Sequence, residues 1–351
     1  MPRETMTGRE RWLAVLSRQK PDRMPMDYWG TPEATERLCS HLGCDWDEAC
    51  RRLHIDRPFG VGGLYVGPPP PEGEDLFGIR TRPVDYVSGV YNEVVNAPLA
   101  AFQTPEEIEA RYTWPQADWW DYSHLPEEIR GKEDRIIVGG SSEPFLRYKQ
   151  LRGEEQAFMD LACEPEMVRY ILGKLFDLAV ESTRRIYETI PDVVNITIVA
   201  EDLGGQQSLL YSPDHIREYL LPGMKRMMDL ARQHGAYVFT HTDGACFDIL
   251  PDLLDIGMQV LNPVQWRCPG MERERLKQAF GDRLVFHGAV DNQFTLPFGT
   301  VEDVRREVEE NIGILGAGGG YIMAPCHNVQ PVTPPENVVA MYDAGYALGW
   351  V

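Results

Sequence analysis

Apolar positions in this chain fall into short runs rich in β-branched and aromatic residues, separated by longer stretches where they recur every three or four positions. The runs predict strands at Arg23 to Tyr28, His54 to Phe59, Arg135 to Gly139, Asn195 to Ala200, Ala236 to Thr240, Met258 to Val264, Arg283 to Phe286 and Gly320 to Ala324. Strands alternating with helices imply a parallel sheet, and eight of them predict an α/β fold of the (β/α)8 TIM-barrel class. Thr31-Pro32-Glu33, Thr104-Pro105-Glu106 and Ser212-Pro213-Asp214 each set a capping hydroxyl before a proline and an acidic residue, the signature of a helix start. Between Asp214 and Arg232, Leu220, Leu221, Met224, Met227, Met228 and Leu230 recur at helical spacing, which predicts a core face rather than a cofactor surface.

The alternation breaks between about residues 60 and 132. This stretch holds the Pro68 to Pro71 run, a Val-rich portion with the pattern of a hairpin around Tyr86 to Val95, and the aromatics Trp114, Trp119, Trp120 and Tyr122. It reads as an insertion after the second strand, placed to act as a lid, a substrate wall or an oligomer contact. No linker divides the chain, so residues 1–351 are expected to form a single domain.

Composition narrows the partners. Asp and Glu number 54 against 34 Lys and Arg, and the formal charge of −20 would repel nucleic acid and anionic membrane surfaces. No stretch approaches the roughly 20 apolar residues of a membrane span, and the start lacks a signal-peptide core, so a cytoplasmic protein is expected. The seven cysteines form no dense framework and suit a reducing compartment. Cys39, Cys44 and Cys50 lack Cys-x-x-Cys spacing and read as packing or surface thiols.

The candidate chemistry sits where the apolar runs stop. Val238-Phe239-Thr240 ends in His241 and Asp243, two residues apart and hence able to face one site; Tyr321-Ile322-Met323-Ala324 ends in Cys326 and His327. Imidazole, carboxylate and thiolate are ligands zinc accepts, and catalytic zinc keeps three protein ligands and an open position. The expected metal ligands are therefore His241, Asp243 and either Cys326 or His327. The other strands also end in reactive side chains: Asp27, Tyr28 and Trp29, then Asp56, then Ser141, Ser142 and Glu143, then Glu201 and Asp202, then Asn262 and Gln265, then His287 and Asp291, with Asn328 beyond the last. Active sites of such barrels gather at the C-terminal strand ends. Glu201, Asp202 and Asp291 are the expected catalytic residues, Glu201 and Asp202 either dividing into ligand and general base or anchoring the loop at Gly204 and Gly205. Tyr28, Trp29, Asp56, Glu143, Asn262, Gln265, His287 and Asn328 are expected to line the substrate.

At these residues the chain resembles the uroporphyrinogen decarboxylase superfamily. The resemblance is carried by Glu201-Asp202-Leu203-Gly204, Leu221-Pro222 with Lys225, His241-Thr242-Asp243-Gly244, Leu261-Asn262-Pro263-Val264-Gln265, Phe286-His287-Gly288-Ala289-Val290-Asp291, Leu296-Pro297-Phe298-Gly299-Thr300 and Ala324-Pro325-Cys326-His327-Asn328, with a similar opening from Arg9 to Pro25. It implies a barrel, and either a cofactor-free decarboxylase or a zinc-dependent methyltransferase working with a corrinoid. Two departures separate these branches. Tyr28-Trp29-Gly30-Thr31-Pro32 stands where true uroporphyrinogen decarboxylases carry an Arg-Gln-Ala-Gly-Arg-like segment that pairs with substrate carboxylates. His241-Thr242-Asp243 stands where the methyltransferases carry His-x-Cys, leaving a harder metal suited to an oxygen substrate. The expectation is a zinc methyltransferase acting on a small methylated substrate, with a corrinoid carried by a partner protein and a second copy of the chain as a further partner. The alternatives are a decarboxylase or lyase of another small acid, with Asp202, Asp291 or His327 as proton donor, and a non-catalytic family member.

Overall fold

The computed structural model describes residues 4–85 and 90–350. Seven strands form one parallel sheet: β1 (Phe59–Val61), β6 (Ile137–Ser142), β7 (Ile196–Ala200), β8 (Tyr237–His241), β9 (Val260–Asn262), β10 (Val285–Val290) and β11 (Tyr321–Pro325), neighbouring one another in chain order. The numbers in between belong to β2 (Leu64–Tyr65), which pairs antiparallel with β5 (Trp120–Asp121), and to β3 (Thr81–Asp85), which pairs antiparallel with β4 (Val90–Val94). These short sheets lie in the stretch between β1 and β6 where the alternation lapses. The hairpin expected around Tyr86 to Val95 is represented by β3 and β4; Tyr86 and the residues up to 89 lie outside the described residues.

Two predicted strands come out differently. Residues 54–58 form no strand, and β1 begins only at Phe59. Pro58 has no N–H to give a ladder, the carbonyls of Arg57 and Pro58 accept from Arg135, and the Asp56 carboxylate is drawn into an ion cluster. The first predicted strand, Arg23 to Tyr28, is reduced to a parallel bridge between Met26 and Met323, with Asp27 N–H donating to the Met323 carbonyl and Met323 N–H to Pro25. Pro25 lacks a donor, and the Met26 N–H is taken by the Asp56 side chain at 3.1 Å. Asp56 N–H in turn donates to the Met26 carbonyl. The segment thus bonds to the β11 edge of the sheet on one side and to the approach to β1 on the other.

Apolar side chains fill both faces of this sheet, as parallel strands require. One cluster occupies the concave side: Trp12, Val15 and Leu16 from helix Gly8–Leu16 meet Ile136, Ile196, Phe239, Val260, Val285 and Ile322. The larger cluster lies between the sheet and the surrounding helices. Met224, Met227 and Met228 are fully buried there, each contributing about 1.5–3 kcal/mol by leaving water, so helix Leu221–Gln233 has the predicted core face. The predicted caps form as well: Thr31, Thr104 and Ser212 accept from the N–H groups of Ala34, Glu107 and His215. Among the described residues no helix is long and apolar enough to cross a membrane.

Candidate metal centre

Strand parity brings the first ligand to the concave face. Tyr237 and Phe239 pack into the inner cluster, so His241, two residues on, points the same way at the C-terminal end of β8. Asp243 follows in a turn held by Gly244 N–H donating to the Gln265 side chain at 2.9 Å. Here glycine is required: a side chain on Gly204 would come within 2.5 Å of the Asp243 carbonyl, and one on Gly244, whose φ is 77°, within 2.4 Å of the Gly205 carbonyl. The loops after β7 and β8 therefore pack backbone against backbone and fix where Asp243 emerges. His327 enters beyond β11, its Nε2 3.9 Å from Asp243 Oδ2. One ligating atom each of His241, Asp243 and His327 lies within 4.8 Å of the others.

A chain of hydrogen bonds sets the orientation of His241. Asp27 is acceptor-only when ionised, and its Oδ2 accepts from Trp29 Nε1 at 2.9 Å and faces His287 Nε2 at 3.1 Å. His287 must then donate through Nε2, which in the neutral ring leaves Nδ1 as an acceptor for Asn262 Nδ2 at 2.7 Å. The other end of that amide, Oδ1, accepts from His241 Nδ1 at 2.6 Å. The result is a His241 whose Nε2 lone pair is free and aimed away from its support, the tautomer a metal ligand needs. Asn262 and His287 are 1% and 0% exposed, so no water competes for these bonds. The Trp29 ring stacks on His241 with centroids 5.6 Å apart.

Carboxylates complete the surroundings. Asp202 Oδ1 lies 3.9 Å from His241 Nε2. Asp202 Oδ1 and Asp243 Oδ1 are both buried and, among the described residues, lack a hydrogen-bond partner, a costly arrangement unless a cation or water completes it. Burial pushes the Asp243 carboxyl up, while His241 and His327 pull it back. Burial and the neighbouring Asp202 also raise the Glu143 carboxyl. Glu201 is held well above the usual carboxylate range by complete burial, and it accepts the Phe145 N–H at 2.9 Å. Four acidic groups, Glu143, Glu201, Asp202 and Asp243, thus converge where a cation would balance them.

Other predicted site residues fall elsewhere. Asp56, expected beside substrate, is buried between Arg11 (2.5 Å) and Arg23 (2.7 Å). Its position ahead of β1, with two guanidiniums arriving from the N-terminal segment, makes it an anchor for that segment and not part of the centre. Asp291, expected to be catalytic, accepts from the N–H groups of Gln293, Phe294 and Thr295 and pairs with Arg267 at 2.7 Å; it caps the turn after β10. Between the two alternatives after β11, the structure brings His327 to the cluster. The buried Cys326 thiol faces the Val264 carbonyl at 3.3 Å, and burial pushes its pKa well above normal, against thiolate formation. Tyr28 lines a cavity with Trp29 and Trp46, its hydroxyl on Thr35 at 3.0 Å and its ring against Trp46. Asn328 lines a cavity with Trp29. Asp27, which the expected substrate-lining set passed over in favour of Tyr28 and Trp29, anchors the hydrogen-bond chain; its signal was its place in the Asp27-Tyr28-Trp29 strand end.

Residues 127–348 match the family model described as "Uroporphyrinogen decarboxylase (URO-D)". The chain is 25% identical over 213 residues to a uroporphyrinogen decarboxylase of Legionella pneumophila (strain Corby), covering 60% of this chain and 53% of that protein. The chain therefore spans about half the length of the decarboxylases it matches. It is 27% identical over 359 residues to the methylcobamide:CoM methyltransferase MtaA of Methanosarcina barkeri, covering 96% of this chain and 97% of that one. Among solved structures, a methyltransferase from Methanosarcina mazei superimposes with a TM-score of 0.68 at 20% identity, over 97% of this chain and 99% of the other.

Proposed function

The chain belongs to the uroporphyrinogen decarboxylase family, and within it we propose a zinc-dependent methyltransferase that moves a methyl group between a small methylated substrate and a corrinoid carried by a partner protein. The observation that carries this reading is the convergence of His241, Asp243 and His327 within 4.8 Å, with a buried carboxylate oxygen of Asp243 that has no hydrogen-bond partner among the described residues. Two imidazoles and a carboxylate fit zinc and leave its fourth position for substrate. Similarity along nearly the whole length of a relative whose name includes methylcobamide supports the corrinoid. The reading includes a closed (β/α)8 barrel, with the bridge at Met26 as its eighth strand position and the stretch from about 60 to 132 as the insertion.

Bound at these residues, zinc would supply Lewis acidity that lowers the pKa of a coordinated oxygen or thiol group. The chain's own side chains do the rest. Asn262 holds His241 in the required tautomer, Trp29 covers one face of its ring, and Asp202, 3.9 Å from His241 Nε2, is placed to take a proton from a bound acceptor. Leu146, Leu210, Phe294, Phe298 and Val332, in segments that follow β6, β7, β10 and β11, are exposed large apolar residues suited to a docking partner. The test is to load purified protein with zinc and follow demethylation of methylcobalamin by absorbance, with an alcohol, a phenol or a thiol as acceptor. Zinc-dependent demethylation that His241→Ala abolishes supports the reading; robust uroporphyrinogen decarboxylation without metal would overturn it.

A second reading, decarboxylation of another small acid, draws on Glu143 and Glu201, carboxyls that burial pushes up beside the centre. Carbon dioxide release from a small acid by metal-free protein would favour it.

A further inference from the structure

Beside the centre, a cavity of about 560 Å³ runs into the concave side of the sheet. Trp12, Trp29, Trp46, Phe239, Ile196 and Ile198 line it, a largely aromatic and aliphatic wall. Its origin is a missing side chain. Gly60 of β1 pairs with Val138 of β6, and register neighbours in a parallel sheet point the same way; Val138 packs into the inner cluster, so Gly60 leaves an inward gap. A Cβ built on Gly60 meets nothing within 4 Å. The cavity is bounded by residues 27–30 on one side and 57–60 on the other, segments joined by the Asp56 N–H to Met26 bond. It therefore extends through the seam between the first segment and β1. Its inner end reaches Trp29, stacked on His241, and Asn328, the neighbour of His327.

The charges in this wall are unevenly placed. Asp27 stands at the inner end with both oxygens engaged by Tyr28 N–H, Trp29 and His287. Arg57 and Arg135 stand at the seam. Arg135 donates Nε and Nη2 to the Arg57 and Pro58 carbonyls, and Arg57 pairs through Nη2 with the exposed Asp47; among the described residues the Nη1 groups of both have no hydrogen-bond partner. Burial and the neighbouring Arg57 lower the Arg135 pKa, a repulsion that a bound anion would relieve. In a chain of charge −20, two adjacent guanidiniums on an apolar cavity select strongly for the sign of a ligand.

We propose that this cavity binds a planar aromatic monocarboxylate, its ring among the tryptophans and Phe239, its carboxylate at Arg57 and Arg135, and its far end against Trp29 and Asn328. This names the class of the methylated substrate and so rests on the methyltransferase reading. It also separates the substrate's entry, at the seam, from the strand ends where a carrier protein would dock. The test is tryptophan-fluorescence titration of the purified protein, without corrinoid, using benzoate, 4-methoxybenzoate and anisole. Both carboxylates should bind saturably, and anisole at least about 10-fold more weakly, the factor of one charge-assisted contact. Gly60→Phe, which fills the gap, should abolish binding of all three while leaving zinc content unchanged. Arg57→Gln, which disturbs only an exposed pair, should weaken the carboxylates about 10-fold and leave anisole where it was. Equal affinities for anisole and benzoate, or undiminished binding in a folded Gly60→Phe variant, would overturn the assignment; should that variant not fold, Arg57→Gln decides. Because benzoate carries no methyl group, its binding without methyl transfer refutes the activity alone, and methyl transfer without its binding refutes the cavity alone.

Discussion

Replacing Asn262 by leucine tests the hydrogen-bond chain beneath the candidate metal centre. The side chain is 1% exposed and bridges two imidazoles, at 2.6 Å to His241 Nδ1 and 2.7 Å to His287 Nδ1. Leucine has similar bulk but offers neither donor nor acceptor. It leaves two buried ring nitrogens without partners, each costing about 1–3 kcal/mol, so the variant should lose roughly 2–6 kcal/mol of stability. That is a large share of the 5–15 kcal/mol of about any folded domain. The free His241 ring can then turn or change tautomer, and loss of such an outer hydrogen bond weakens metal binding by about 10–100-fold, or roughly 1.4–2.7 kcal/mol. Urea denaturation of metal-free protein reads the first quantity; zinc competition against a chelator reads the second. Asn262→Asp separates the two sides of the bridge. Its carboxylate still accepts from His241 Nδ1 but offers His287 Nδ1 no donor, so zinc affinity should fall less than in the leucine variant while stability still falls. Zinc affinity within twofold of wild type in Asn262→Leu, with stability unchanged, would refute the bridging role.

Asp56→Ala should destabilise the fold by about 3–5 kcal/mol, because Arg11 and Arg23 would be left buried without their shared partner, yet leave zinc affinity untouched; a selective loss of zinc would return Asp56 to the site. Glu201 has a folded-state pKa raised by burial, so its contribution to stability is complete below the unfolded-chain value and is lost as the pH rises through the folded one. Glu201→Gln keeps an oxygen for the Phe145 N–H and should therefore gain in Tm over wild type as the pH rises above the ordinary carboxylate range; a difference that stays constant with pH would count against the raised pKa of Glu201. His241→Ala should lose zinc on dialysis, whereas Cys326→Ser should retain it, since the Cys326 thiol faces the Val264 carbonyl; equal zinc loss in both variants would bring Cys326 back as a ligand.

The parallel order of the sheet was legible in the sequence because short apolar runs and capped helices are local features, written in residues a few positions apart. So was the place of His241 at the candidate site, since strand parity alone puts Phe239 and His241 on one face. What the chain could not show by itself were choices made between distant segments. Whether Cys326 or His327 joins the pair depends on how the loop beyond β11 turns against Val264, sixty-odd residues earlier in the chain. Asp56 read as a strand-end carboxylate until the fold brought Arg11 and Arg23 to it, and the same cluster, with Pro58, delayed β1 to Phe59. Asp291 likewise resolved into a cap only when the turn after β10 closed on it. Polar side chains satisfy themselves with whatever partner the packed chain delivers, so the sequence supplies the candidates and tertiary structure decides which of them are spent on holding the fold and which remain free for chemistry.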